Sequence, residues 1–433
     1  MRIAYLTGEY PRATDTFVQR EVAVLRELGV DVRTFAIRRP ALQENVGPEQ
    51  QAERQGTIYI LPCYPFALLA AHLRALSLSP VRYFGAFRLA MKTRPAGWHT
   101  LLYQLFYFAE AAVLADKVRR LDIKHVHNHF ANSSCSVAMI AAHMGNFTYS
   151  LTMHGPAIFF EPKYWRIDEK IRRALFVSCI SHFCRSQAMI FAPTSKWDRL
   201  HIVHCGVDPQ LYKPVTHRGP GRQLLYVGRL AAVKGLPVLL KSLAAIRTHR
   251  PDVQLTVVGD GPDRAQLERC ATHHGLKDHV RFVGYCSQSQ VADFLQETDV
   301  FVMSSFAEGV PVVLMEAMAA GVPVVATRIA GVGELVEDGV SGFTVPPGDD
   351  VSLADKIEAL LADEQLRERF GRAGRQHVEA QFDIRKEAAW LLRVMTSALR
   401  GSAEPIRPIT AAGPPSGGAD GRETLVTAAR DLP

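Results

Sequence analysis

The run AEGVPVVLMEAMAAGVPVV, residues 307–325, sets Glu308 and Glu316 eight positions apart, one on a glycine turn and the other inside an apolar helix. On a helix that interval is about two turns. Gly309 and Val310 stand at the helix start, where unpaired backbone N–H groups and the helix dipole favour an anion. Gly321 and Pro323 end the helix and open the next strand. Two glutamates on a surface helix are ordinarily only solvated. Glu316 lies within LMEAMAAGVPVV, however, and a carboxylate in apolar surroundings is costly without a partner.

Working outward, LLYVGRLAAVKG (224–235) reads as a buried strand followed by Arg229 and Lys234, two cations at a strand-to-helix turn suited to a diphosphate. LTVVGDGPDRAQLE (255–268) is a second strand with a glycine turn. Strand, helix and strand follow in residues 280–309. Strand and helix alternate in units of about 20 to 30 residues, the pattern of an α/β doubly wound parallel sheet. Ligands bind at the carboxyl ends of such strands, and Arg229, Gly259, Tyr285 and Glu308 all follow strand-like runs. Gly259 also has a plain reading as an end-of-strand turn.

In residues 224–348 the order VGRL…KG, VVGDGP, V-x-F-x-GY and E-x7-E resembles the retaining glycosyltransferases of family GT4. The resemblance implies the GT-B fold, with two Rossmann-like domains facing a cleft. It implies that Glu308 holds donor sugar hydroxyls, that the Gly309 and Val310 amides, with Pro311 beside them, lie near the sugar and phosphate, and that Glu316 takes the ribose. Arg229 and Lys234 would neutralise the leaving diphosphate, and the stretch around Gly284 and Tyr285 would read the base. The donor is expected to be a UDP- or GDP-sugar, with no cofactor.

The first half opens RIAYLTGEYPRATDTFVQREVAVLRELGVDVRTFAI (2–37): strand, loop, an amphipathic helix with Val18, Val22, Leu25 and Leu28, and a second strand. Thr14 or Asp15 is placed to cap that helix. The family commonly has a glycine pair in the first loop, near the donor phosphate; here only Gly8 stands. The Pro and D-T-F text resembles the exopolysaccharide and colanic-acid branch, which points to surface polysaccharide assembly. Further on, IKHVHNHFANSS (123–134) ends a strand on His127 and His129. An H-x-H pair can chelate a metal, but no third ligand is evident in the sequence nearby, and these residues are assigned to the acceptor side of the cleft. YSLTMHGPAIFF (149–160) matches the family's T-x-H-G segment, which implies that the His154 imidazole meets a sugar hydroxyl. Ser181 is a further acceptor-side candidate.

No D-x-D occurs in the chain, so no metal is expected; cations and a helix end would stabilise the leaving group instead. The expected organisation is 1–205 (acceptor-side domain), 206–382 (nucleotide-sugar domain), 383–400 (a helix returning to the first domain) and 401–433 (a disordered tail). Up to residue 205 there are 25 Lys and Arg against 15 Asp and Glu, a balance suited to an anionic membrane face or a polyprenyl-diphosphate-linked glycan acceptor. Residues 65–95 and 98–121 are apolar and aromatic, yet interrupted by charge, and peripheral contact is expected mainly from 65–95. No nucleic-acid motif accompanies the pI of 9.0. Seven scattered cysteines suggest reduced thiols, and MRIAYL reads as a strand rather than a signal peptide, so a cytoplasmic setting is expected, extending to the inner face of the plasma membrane. The contrasting reading is a catalytically silent partner of glycan assembly that binds nucleotide sugar or membrane without turnover.

Overall fold

The computed structural model describes residues 1–12, 15–41, 47–216 and 219–402, together with Pro405 and Arg407. Thr14 and most of the tail 401–433 lie outside the described residues. Thirteen strands build two parallel sheets among the described residues. The first contains β1 (Arg2–Glu9), β2 (Asp31–Arg38), β3 (Ile58–Tyr59), β4 (His125–His129), β5 (Thr148–Met153), β6 (Val177–Cys179) and β7 (Leu200–Ile202), in the order β3-β2-β1-β4-β5-β6-β7. The second contains β8 (Gln223–Val227), β9 (Gln254–Val258), β10 (Val280–Gly284), β11 (Val300–Met303), β12 (Val324–Thr327) and β13 (Gly342–Val345), in the order β10-β9-β8-β11-β12-β13.

Both orders reverse direction once, between β1 and β4 and between β8 and β11. Such a switch point leaves a crevice at the carboxyl ends of the strands, because the helices after the two neighbouring strands go to opposite faces. β11 (VFVM) and β12 (VVAT) are buried at every residue, as expected where helices cover both faces of a parallel sheet.

The connection 206–222 is strapped to the second sheet's domain: Val215 N–H donates to the Ala320 carbonyl and Gly221 N–H to that of Leu361. After the helix Glu364–Gln381 the chain crosses back. The helix Ile384–Arg400 lays Ile384, Ala388, Leu391 and Val394 against Val18, Val22 and Leu25 of the helix Thr16–Glu27. Trp390 Nε1 also donates to the Ile202 carbonyl at 2.9 Å. Asp15 occupies the N-cap position of Thr16–Glu27, but its side chain makes no capping hydrogen bond. No helix among the described residues is long and apolar enough to cross a membrane.

Candidate active site

The loops after β8 and β11 meet at the second switch point. Gly235 has φ +63°, and a Cβ there would lie 2.1 Å from the Ser304 carbonyl oxygen, so only glycine lets the two loops approach this closely. That contact sets Lys234 against Glu308. Lys234 Nζ donates to Glu308 Oε1 at 2.6 Å, and Ser305 Oγ donates to the same oxygen at 2.7 Å. Glu308 is only 9% exposed, and burial, with the Glu308 charge added to it, pushes the Tyr226 hydroxyl pKa upward. Arg229, by contrast, is exposed, and its side chain makes no ion pair among the described residues. The structure therefore pairs Glu308 with Lys234 and leaves Arg229 at the rim.

Pro311 takes the N-cap position of the helix Val312–Ala319, two residues later than the sequence pattern suggests. Having no N–H, it can offer no donor. Gly309 and Val310 do: among the described residues their N–H groups donate to no protein acceptor. Gly309 faces the first domain at close range, its Cα 3.5 Å from where a Cβ on Gly155 would stand.

Glu316 is held by a residue that sequence reasoning missed. Arg20, on the helix Thr16–Glu27 of the first domain, donates Nη2 to Glu316 Oε1 at 2.6 Å, to Gln288 Oε1 at 2.9 Å and to the Tyr212 hydroxyl at 3.2 Å. The pair spans the two domains, with the side chains 10% and 9% exposed. Arg20 Nε and Nη1 are buried without hydrogen-bond partners. A sequence signal existed, since a charged residue inside an apolar run must find a partner. Nothing in the sequence said which one.

The first domain departs from expectation at its histidines. His127 is fully buried, with Nδ1 2.7 Å from Ser150 Oγ and Nε2 2.8 Å from Thr152 Oγ1. It packs within the sheet and does not line the cleft. His129 lies deeper than assigned as well, its Nε2 3.2 Å from Glu21 Oε1 and its Nδ1 3.0 Å from His154 Nε2. Tyr5 donates its hydroxyl to Glu21 at 2.8 Å. The 3.2 Å approach of His129 Nε2 to Glu21 is not a hydrogen bond, so that nitrogen is buried without a partner, while His154 Nδ1 faces Cys205 Sγ at 3.7 Å. Both nitrogens of His154 are thus engaged inside the protein, and its ring lies between Phe17 and Phe130, with centroids 4.7 and 4.8 Å away. Burial drives the pKa values of His127 and His154 well below the ordinary histidine value. Glu21 supplies the third ligand type missing beside the H-x-H pair, with donor atoms of Glu21, His127 and His129 within 4.8 Å of one another. The His127 nitrogens are committed to Ser150 and Thr152, whereas His129 Nε2 has no hydrogen-bond partner among the described residues.

Ser181 is also corrected: 1% exposed, it caps the helix His182–Phe191 by accepting from Cys184 N–H at 3.0 Å. Glu334 of the second domain completes that helix end, accepting from the His182 and Phe183 N–H groups at 2.7 and 2.8 Å. Gly8 lies half-buried at the end of β1, with open space at its Cβ position. Gly259 serves packing, since a Cβ there would meet the Gly228 carbonyl oxygen at 2.0 Å. Tyr285, 50% exposed, follows β10 and precedes the helix that carries Gln288.

Residues 210–377 match the family described as Glycosyl transferases group 1. This group 1 domain contains Lys234, Glu308 and Glu316. The alpha-D-kanosaminyltransferase of Streptomyces kanamyceticus is 37% identical over 146 residues, 34% of this chain and 38% of that protein. The chain spans half or less of the length of the curated relatives it matches first, glycogen synthase of Mycobacterium tuberculosis among them at 50%. Likeness of structure extends further. Sucrose-phosphate synthase from Thermosynechococcus elongatus superposes with a TM-score of 0.72 at 20% identity, covering 93% of this chain and all of that one. Anabaena HepE in complex with UDP and glucose gives 0.69 at 18% identity, covering 92% and 100%. The fold is GT-B, with the group 1 domain as its second half.

Proposed function

We propose that the protein is a retaining glycosyltransferase that moves a sugar from a nucleotide donor to a glycan or polyprenyl-diphosphate-linked acceptor in surface polysaccharide assembly, working at the cytoplasmic face of the membrane. The observation that carries this reading is the Lys234–Glu308 pair beside the Gly309 and Val310 amides, which donate to no protein acceptor among the described residues, with Glu316 on the helix that follows them. Lys234 and the two amides stabilise the departing diphosphate, and preorganised charge of this kind is usually the largest catalytic contribution. This reading needs no metal.

The acceptor hydroxyl attacks the anomeric carbon on the face that the phosphate leaves. The new C–O bond forms as the C1–O bond to phosphate breaks, and the acceptor proton passes to the departing phosphate oxygen. Glu308 orients a sugar hydroxyl, and the attack needs no protein base. Glu316, which Arg20 holds from the first domain, takes the donor's ribose in this reading. HepE is solved with UDP and glucose, which makes UDP the first nucleotide to test.

The experiment is calorimetric binding and donor hydrolysis over UDP-, GDP- and ADP-sugars, comparing the wild type with Glu316→Ala and Glu308→Ala, with and without EDTA. Selective, EDTA-resistant binding that Glu316→Ala abolishes supports the donor site. Binding without turnover in the wild type would favour the silent assembly partner, and no binding to any donor would reject the reading.

A further inference from the structure

Three consecutive helices of the first domain, Pro65–Leu78, Pro80–Lys92 and Trp98–Arg120, present large apolar side chains to solvent. Phe66 is 86% exposed, Val81 83%, Trp98 65%, Phe84 61% and Phe106 60%. Scattered single exposures are normal; a run of them on adjoining helices marks an interaction surface. The charge is equally one-sided. From Arg54 to Ala109 the sequence contains six Lys and Arg and no Asp or Glu. Arg74 is taken by Asp116 at 2.7 Å, whereas Arg82, Arg88, Lys92 and Arg94 are exposed and form no ion pair among the described residues.

The face also has a definite place in the fold. Trp98–Arg120 leads into β4, and a helix feeding a strand of a parallel sheet runs antiparallel to it. Its exposed first half therefore lies toward the carboxyl ends of the strands, where the cleft opens, and its buried second half covers the sheet. Arg166, from the segment that follows β5 and its His154–Gly155 turn, donates to the Lys92 carbonyl at 3.1 Å, which ties the same face to the cleft loops.

We propose that this three-helix face seats the protein on an anionic lipid surface, lying in the interface without crossing it, and holds the cleft mouth over a lipid-linked acceptor. Exposed aromatics enter the boundary between headgroups and acyl chains, while the unpaired cations meet lipid phosphates. A second copy of the chain fits less well, because it would set four unpaired cations against four more with no acid between them. The proposal rests on the glycosyltransferase reading only for the identity of the acceptor.

The test is cosedimentation of the full chain with phosphatidylcholine vesicles, with and without phosphatidylglycerol, at low and high salt. Binding is expected only to the anionic vesicles and should weaken with salt. Phe66→Ser/Phe84→Ser/Phe106→Ser should weaken it at least about tenfold through lost apolar burial. Arg88→Glu/Lys92→Glu should weaken it by a similar factor through reversed charge. Nucleotide-sugar binding should be unchanged in both variants. Failure to bind vesicles, or equal binding to neutral ones, would overturn the proposal. So would dimers that the aromatic variant dissolves in the absence of any vesicle binding. Vesicle binding that persists in a chain that binds no donor would retain the surface and reject the enzyme reading instead.

Discussion

Arg20 and Glu316 make the sharpest prediction because each is buried and each depends on the other. With charge centres about 4 Å apart and an effective dielectric near 20, their attraction is roughly 4 kcal/mol. Removing one partner from such a pair costs about 3–5 kcal/mol, since the remaining charge stays buried. Arg20 is badly placed to lose Glu316, because its Nε and Nη1 already lack partners and only Gln288 and Tyr212 would remain to it. Glu316→Leu and Arg20→Met should therefore each destabilise the protein by about 3–5 kcal/mol. The double variant, which fills the same space with apolar atoms, should stand within about 1–2 kcal/mol of the wild type. The cycle would then give a coupling of at least about 3 kcal/mol, well beyond the few tenths expected of independent sites. Urea unfolding followed by circular dichroism measures all four corners. Additive effects, with coupling under about 1 kcal/mol, would refute the claim that the two side chains form one buried unit across the domains.

Stability should fall steeply in mild acid. Burial lowers His125 to about 3 and His201 and His204 to about 4, and takes His127 and His154 well down, so these five stay neutral in the fold while the unfolded chain protonates near 6.5. Their contribution is full above about pH 6.5 and is lost as the pH falls. Glu110 and Glu387, raised by burial to about 7, act in the opposite sense, so about three net protons are taken up on unfolding. The expected slope between pH 5 and 6 is about 4 kcal/mol per unit, and a flat denaturation midpoint across that range would reject it. Glu110→Gln should stabilise the protein by about 3 kcal/mol at pH 8 and hardly at all at pH 4, because the buried carboxyl is favourable only while protonated; equal effects at both pH values would contradict the assigned shift. Gly235→Ala should cost more than about 2 kcal/mol, through its left-handed backbone and the Ser304 carbonyl oxygen 2.1 Å from the new methyl. The same change should weaken donor binding at least about tenfold by moving Lys234, and thermal melting and calorimetry on one sample would expose either failure.

The alternation of buried strands and helices was enough to read a doubly wound parallel sheet in the second half, because β11 and β12 are apolar at nearly every residue and that composition suits a parallel sheet covered on both faces, whereas the two-sheet arrangement came from the family resemblance. Lys234 and Glu308 were legible for a similar local reason: each follows a strand at the end where such folds bind ligands. The histidines were not. His127 and His129 sit on one short strand, and whether such a side chain faces a cleft or a neighbouring strand depends on what stands across from it. Here those neighbours are Ser150 and Thr152 for one, and Glu21 and His154 for the other. Lys170 gives the same lesson: it is fully buried with Nζ on the Ala131 and Asn132 carbonyls at 2.8 Å, partners 39 and 38 residues away.

What the sequence determined by itself, then, was set by periodicity and local chemistry: strand and helix order, the glycine turns, and a carboxylate in an apolar run in need of a partner. Only the tertiary structure decided that the partner is the cation of Arg20, 296 residues away, and that His154 turns inward. Pairings over such distances depend on how two separately folded sheets meet, and no local pattern carries that information.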